Sequence, residues 1–238
     1  MKPIRLISGF LTVGFWTLAS RILGMVREIL LFSLIGAGPL LDAFFAAFRL
    51  PNMFRRFFAE GAFNSAFVPL ISKKYERKEN ATAFANEAMG SLAFVLLILT
   101  TISIIFMPAL IWAIANGFVG DERFEITIAF GRVMFPYIFL ISLAALLSGV
   151  LNALGYFAAA AAAPVLLNIT IIFGLCISFS FEWPIMTILI YSVPFAGILQ
   201  LIFLWSAAKK AGLIIRPSRP RLSKDMRTLV RVAIPSAL

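Results

Sequence analysis

Three stretches of this chain carry no charged side chain: Ala88 to Gly120, Val133 to Phe181 and Trp183 to Ala208. A helix needs roughly 20 apolar residues to cross the hydrocarbon of a bilayer. Bilayer hydrocarbon satisfies no backbone polar group, so runs this long fold as spanning helices and as little else. Charged residues make up 13% of the 238 residues, against 61% hydrophobic ones, whereas a soluble domain runs nearer about 25% charged. The expected fold class is all-α, a polytopic membrane helical bundle of about six transmembrane helices.

The punctuation along the chain places those helices. The first is expected from about Leu6 to Ile35, stopped by Gly36-Ala37-Gly38-Pro39, and the second from about Leu41 to Ile71, with Pro51 inside it. The third runs from about Phe84 to Asn116. The fourth runs from about Phe124 to Asn152, with Pro136 inside and Asn152 to Gly155 as its turn. The fifth covers Tyr156 to Ser180 and the sixth Trp183 to Ala208. The N-terminal MKPIR and the apolar run after it resemble a signal peptide, but the apolar pattern continues past Arg21 to Leu41, which favours a retained first helix. Residues 1–208 are thus read as a six-helix lobe. Residues 209–238 are read as a basic linker, marked by Pro217 and Pro220, followed by the start of a seventh helix that stops before it could span.

Basic residues alternate from one connection to the next. Lys2 and Arg5 lie at the N-terminus, Lys73, Lys74, Arg77 and Lys78 after the second helix, and Lys209, Lys210, Arg216, Arg219, Arg221 and Lys224 after the sixth. The intervening connections are nearly free of them, apart from Arg123 beside three acids. The positive-inside rule then puts both ends of the chain in the cytoplasm. On this reading the net charge of +10 reports topology, and no nucleic-acid partner is expected. The chain has no histidine and a single cysteine, Cys176. Histidine-based proton transfer, histidine metal ligands and an intramolecular disulfide are therefore excluded. No phosphate-loop glycine motif and no paired catalytic carboxylates occur, so neither an enzyme nor a bound cofactor or metal is expected.

Against this background Arg21 and Arg27 are anomalous. They stand inside the first apolar segment, where an arginine at bilayer depth costs about 2.5–3.5 kcal/mol on insertion scales. Arg21 and Glu28, seven residues apart, share a helix face, and Arg27 lies roughly 120° round from Arg21. On the second helix Asp42, Arg49, Arg56 and Glu60 recur near one face, with Arg55 off it. Pro51 can change that phase, so the wheel does not choose between Arg55 and Arg56. Two bland readings stand beside a functional one. The charges could pair internally, Arg21 or Arg27 with Asp42 or Glu28, and Arg55 or Arg56 could snorkel to the interface. Yet five arginines (21, 27, 49, 55 and 56) face only Glu28, Asp42 and Glu60, a surplus of two positive charges that pairing leaves unmet. A hydrated cavity receiving a pyrophosphate-like anion would meet it, because guanidinium groups fork-bind phosphate oxygens. Asn152 and Asn168, on apolar helices, are read as interhelical hydrogen-bonding residues.

The segments SRILGMVRE (Ser20 to Glu28) and LDAFFAAFRLPNMFRRFFAEGAFNSAFVP (Leu41 to Pro69) resemble signature segments of the MurJ/MviN lipid II flippases, of the MOP exporter superfamily. Phe135 to Phe157 and Ala163 to Ile169 are similar to that family's fourth and fifth helices. The resemblance implies the N-terminal lobe of a two-lobed transporter in the bacterial inner membrane. It implies movement of lipid II, the undecaprenyl-pyrophosphate-linked peptidoglycan precursor, by alternating access. It places cavity arginines at Arg21, Arg27 and Arg55 and a cavity aspartate at Asp42, which with Glu28 would orient them. Glu28 stands where the family usually has Asp, and Arg49 where it commonly has Lys. Asn52 and Glu60 match positions associated with gating. The implied partners are lipid II, membrane lipids and a C-terminal lobe or second chain. Two alternatives stay open: export of another polyprenyl-linked glycan, and a non-transporting membrane scaffold or remnant.

Overall fold

The computed structural model describes residues 3–55, 62–77, 79–221 and 223–233, with side chains described for 11–53, 65–77, 79–221 and 223–232. The described residues form ten α-helices: α1 (Pro3–Ile35), α2 (Pro39–Arg55), α3 (Ala62–Glu76), α4 (Ala81–Ile105), α5 (Met107–Ile114), α6 (Glu122–Met134), α7 (Tyr137–Ala153), α8 (Phe157–Ser180), α9 (Ile185–Lys210) and α10 (Lys224–Ala233). Among the described residues four spans are long and apolar enough to cross a membrane: Ala81–Ile105, Glu122–Ala153, Phe157–Ser180 and Ile185–Lys210. The 33-residue α1 extends about 50 Å, longer than a bilayer core is thick.

The expected third helix is divided. Pro108 sits in the first turn of α5, where its missing N–H costs nothing, so the chain stops at Ile105 and restarts. Pro136 divides the fourth helix into α6 and α7, which still run as one membrane span. Pro51, by contrast, lies inside an α2 that continues to Arg55. The turn expected at Asn152 to Gly155 closes as a Schellman motif. Gly155 N–H donates to the Asn152 carbonyl at 3.0 Å and Tyr156 N–H to the Leu151 carbonyl at 2.8 Å.

Helix α7 is central and packs against α2, α3, α4, α8 and α9. One buried cluster joins α3, α4, α5 and α7 through Phe67, Phe84, Leu96, Ile111 and Leu147. A second joins α1, α2, α6, α8 and α9 through Leu31, Phe44, Met134, Leu175 and Val193. Lipid is as apolar as these side chains, so association rests on close packing and interhelical hydrogen bonds. The buried Gln200 supplies two of these, accepting from Tyr137 Oη at 3.3 Å and donating to the Ala163 carbonyl at 2.9 Å. Phe173, Phe179 and Ile105 point outward and are more than half exposed, as a lipid-facing surface requires.

The segment expected as a linker is docked. Arg216 N–H donates to Asn86 Oδ1 at 2.8 Å, Ser218 N–H to the Asn86 carbonyl at 3.1 Å and Ser223 N–H to Glu87 Oε1 at 3.2 Å. Gly90 makes this approach feasible, since a Cβ there would overlap the Ser218 carbonyl oxygen. Beyond it, α10 buries Met226 and Leu229 against α3 and α4, and Asp225 pairs with Lys74 at 2.8 Å. Its ten residues extend about 15 Å, half a bilayer core.

Candidate functional site

The α1–α2 hairpin opens away from its turn. Near the turn the helices touch through Phe32 and Phe45, whose ring centroids lie 5.9 Å apart. Beyond that contact α1 packs chiefly on α8 and α2 chiefly on α6, so the two diverge. A groove of about 460 Å³ lies between them, with Arg27, Glu28, Arg49 and Asn52 as its polar lining and Phe45, Phe48 and Met53 as its apolar lining. Arg27 and Arg49 reach similar depth, about 12 and 15 Å from the turn by helical rise.

The two arginines are held differently. Arg27 keeps only 15% of its side chain exposed. Its guanidinium donates to Asn168 Oδ1 on α8 at 2.9 Å and to Glu28 Oε1 at 3.2 Å. Asn168, itself 6% exposed, donates in turn to the Ser20 carbonyl at 2.9 Å and to Ser20 Oγ at 3.4 Å. Arg49 is exposed and has no ion-pair or hydrogen-bond partner among the described residues. Two guanidinium groups thus face one carboxylate, and that carboxylate is 58% exposed.

Of the site residues expected from sequence, the groove gathers Arg27, Glu28, Arg49 and Asn52. Arg21 is exposed on α1, off the groove lining and about 9 Å along the axis from Arg27. Arg55 is the last residue of α2, and its side chain lies outside the described residues, as do Arg56 and Glu60 altogether. Asp42, for which an orienting role is expected, lies off the groove lining. Asp42 is in the first turn of α2, at the end packed on α6, so the arginine within reach is Arg123 at 3.4 Å. Arg123 also bonds Asp121 at 2.6 Å and lies 4.5 Å from the centroid of the Phe118 ring. Its side-chain hydrogen bond, and then its backbone N–H, hold the Asp121 carboxyl below its ordinary value. Of the internal pairings weighed, the one that forms is Arg27 with Glu28.

Asn168 is the interhelical hydrogen-bonding residue that its place on an apolar helix suggests. That its partner is Arg27 is not legible in the sequence, because a helical wheel gives faces and not neighbours. Among the described residues no cluster of histidine, cysteine, aspartate and glutamate could hold a metal ion.

The arrangement has the fold of one half of a MOP-superfamily transporter, a membrane helical bundle. An outward-facing MATE-family multidrug transporter of the MOP superfamily superposes with a TM-score of 0.75 at 15% identity, over 96% of this chain and 51% of that one. A solved lipid II flippase MurJ in an inward closed conformation superposes at 0.73 with 27% identity, over 94% of this chain and 46% of that one. The family model for lipid II flippase MurJ matches residues 31–238. A probable lipid II flippase MurJ of Rhizobium tropici is 44% identical over 98% of this chain and 45% of its own length. The lipid II flippase MurJ of Burkholderia cenocepacia is 37% identical over 89% of this chain and 42% of its own. The chain belongs to the MurJ family and is a multi-pass membrane protein. It spans less than half the length of these curated relatives.

Proposed function

We propose that this chain forms one lobe of a lipid II flippase, taking the undecaprenyl-pyrophosphate-linked precursor of peptidoglycan from the inner to the outer leaflet of the bacterial cytoplasmic membrane. The observation that carries the reading is the groove between α1 and α2, where Arg27 and Arg49 face the single lining carboxylate of Glu28 beside Asn52, Phe45, Phe48 and Met53. A pyrophosphate docks on the exposed Arg49 and on the free edge of Arg27. Arg21 extends the cationic track along α1, and Arg55 is a further binding residue by the family resemblance. Glu28 orients Arg27, and Asn52 and Glu60 serve the gate. Asp42, on the same face of α2 as Arg49 and about 10 Å along the helix from it, marks the end of the track.

The transport logic is electrostatic and involves no covalent step. Closing the groove removes the unpaired Arg49 guanidinium, and what is exposed of Arg27, from water at a cost of several kcal/mol per ion. A bound dianion offsets that cost, so occupancy favours closure. The relatives are about twice as long, and a second lobe, on the same polypeptide or a second chain, supplies the surface against which this groove closes. The N-terminal Lys2 and Arg5 and the basic segment from Lys209 to Lys224 lie on the cytoplasmic side, by the distribution of Lys and Arg between connections.

The test is alanine at Arg21, Arg27, Arg49 and Arg55 in a two-lobed context, with complementation of a flippase-depleted strain. Loss of growth at Arg27 and Arg49 is expected, and normal growth for all four variants overturns the assignment. Direct binding of lipid II and of an O-antigen-type polyprenyl pyrophosphate separates a lipid II site from one for another glycan. Binding of neither leaves a scaffold.

A further inference from the structure

The chain does not leave the lobe where α9 ends. Gly212 N–H donates to the Lys209 carbonyl at 3.0 Å and Leu213 N–H to the Ala208 carbonyl at 2.9 Å. Gly212 has φ +82, the left-handed conformation this reversal demands. The returning segment is then fixed twice. Trp205 Nε1 donates to the Ile215 carbonyl at 3.0 Å, and Asn86 on α4 accepts from Arg216 N–H at 2.8 Å.

Between α9 and the returning segment lies a second cavity, of about 300 Å³, lined among others by Ile202, Trp205, Ser206, Lys209, Ile214 and Arg216. It shares no residue with the α1–α2 groove. Lys209 and Arg216 are exposed, on an anchored backbone, and neither forms an ion pair among the described residues. The apolar half is displaced along the membrane axis, since Ile202 lies about 10 Å deeper on α9 than Lys209. Trp205 stands one turn from Lys209, the spacing of an aromatic and a cation at a membrane–water boundary.

We propose that this cavity is a docking site for an anionic glycerophospholipid of the bilayer. Its phosphate sits between Lys209 and Arg216 with Ser206 as a further donor, and its first methylenes lie along Ile202 and Ile214. A zwitterionic headgroup brings an ammonium against the same two cations, so the site selects for net negative lipids. Free phosphate shares the anion chemistry and lacks the apolar part. A lipid held here ties the orientation of the docked linker to the charge of the leaflet it touches.

The probe is phosphatidylglycerol, titrated into the purified chain in non-ionic detergent, with bound lipid counted by native mass spectrometry. The double substitution Lys209→Gln/Arg216→Gln is expected to weaken binding roughly tenfold or more, since each cation near an anionic lipid is worth about 1 kcal/mol. The control Arg219→Gln/Arg221→Gln removes the same charge outside the cavity and is expected to bind as the parent does. Ser206→Trp, which fills the cavity and leaves both cations, is expected to weaken binding as well. Equal loss in both double variants, undiminished binding by Ser206→Trp, equal affinity for phosphatidylcholine, or full competition by inorganic phosphate at the lipid's concentration would each overturn the proposal.

Discussion

Asn168 accepts a hydrogen bond from Arg27 at 2.9 Å across the α1–α8 interface, with its own amide N–H held by the Ser20 carbonyl. One buried neutral residue thereby fixes an arginine of the groove without cancelling its charge. Substitutions at this position separate the two effects. Asn168→Leu removes the acceptor and is expected to destabilise the lobe by about 1.5–3 kcal/mol, the worth of a hydrogen bond to a charged group. Asn168→Asp keeps an acceptor for Arg27 but adds a carboxylate. It also loses the N–H that the Ser20 carbonyl accepts, so it is expected to lower the melting temperature less than Asn168→Leu does and yet weaken binding of a polyprenyl pyrophosphate more. Melting curves in detergent and a binding titration on the same samples test this, and parallel losses for both variants would contradict it.

Glu28 competes with any anion for Arg27, since its carboxylate lies 3.2 Å from the guanidinium and is well exposed. Exposed pairs of this kind are worth about 0.2–1 kcal/mol. Glu28→Gln is therefore expected to tighten pyrophosphate binding about two- to fivefold, and Arg49→Gln to weaken it. Titration of each variant at fixed ionic strength reads both shifts. Weaker binding by Glu28→Gln would mean that orienting Arg27 outweighs competing for it.

How much of this is legible in the sequence follows from what each signal measures. Apolar length is a bulk property, so α8 and α9 lie within two residues of the expected fifth and sixth helices. The seven-residue spacing of Asp42 and Arg49 puts both on one face of α2, and both are exposed. Spacing along one helix, however, says nothing of which helix lies opposite. The sequence alone therefore turns Asp42 toward the first helix, whereas α2 packs on α6 and brings it to Arg123. The docked linker is illegible for a related reason. Asn86, Glu87 and Gly90 read as the ordinary polar start of a spanning helix, and only the fold reveals the chain lying across them.

Arg123 joins the first turn of α2 to the turn before α6 through Asp42 and Asp121. Asp121 has its pKa lowered by Arg123, so its contribution is present above the unfolded value near about 3.9 and is lost as pH falls through the lowered folded value. Spin labels at the exposed Leu40 and Val119 are expected to show a distance distribution that broadens as pH falls through that lowered value. Arg123→Gln should show the same broadening at neutral pH. An unchanged distribution in Arg123→Gln would show that the apolar contacts between α2 and α6 suffice.

Gly90→Ala tests the linker by sterics alone. A methyl group at that position overlaps the Ser218 carbonyl oxygen, which is backbone and cannot swing aside. The segment from 213 to 221 is expected to lift off α4 while the helices stay folded. Trypsin does not cut Arg216 or Arg219, each followed by proline, so faster cleavage after Arg221 is the readout. Parent-like cleavage at that bond would mean that the linker detaches freely already.

Lys74 provides the pH handle on α10. Its pKa is raised, first by the hydrogen bond from its ammonium to Asp225, against an opposing effect of burial and with further support from Glu79. A raised folded value means that the interaction is fully present below the unfolded lysine value near about 10.4 and is lost as pH rises through the folded value. Docking of α10 is therefore expected to hold through neutral pH and to weaken in the alkaline range. A fluorophore attached at the exposed position 232 reports the release. Asp225→Asn removes the first cause of the shift, so its release is expected to begin at lower pH than in the parent chain. Identical alkaline midpoints for the two would show that Met226 and Leu229 hold α10 to α3 and α4 without the ion pair.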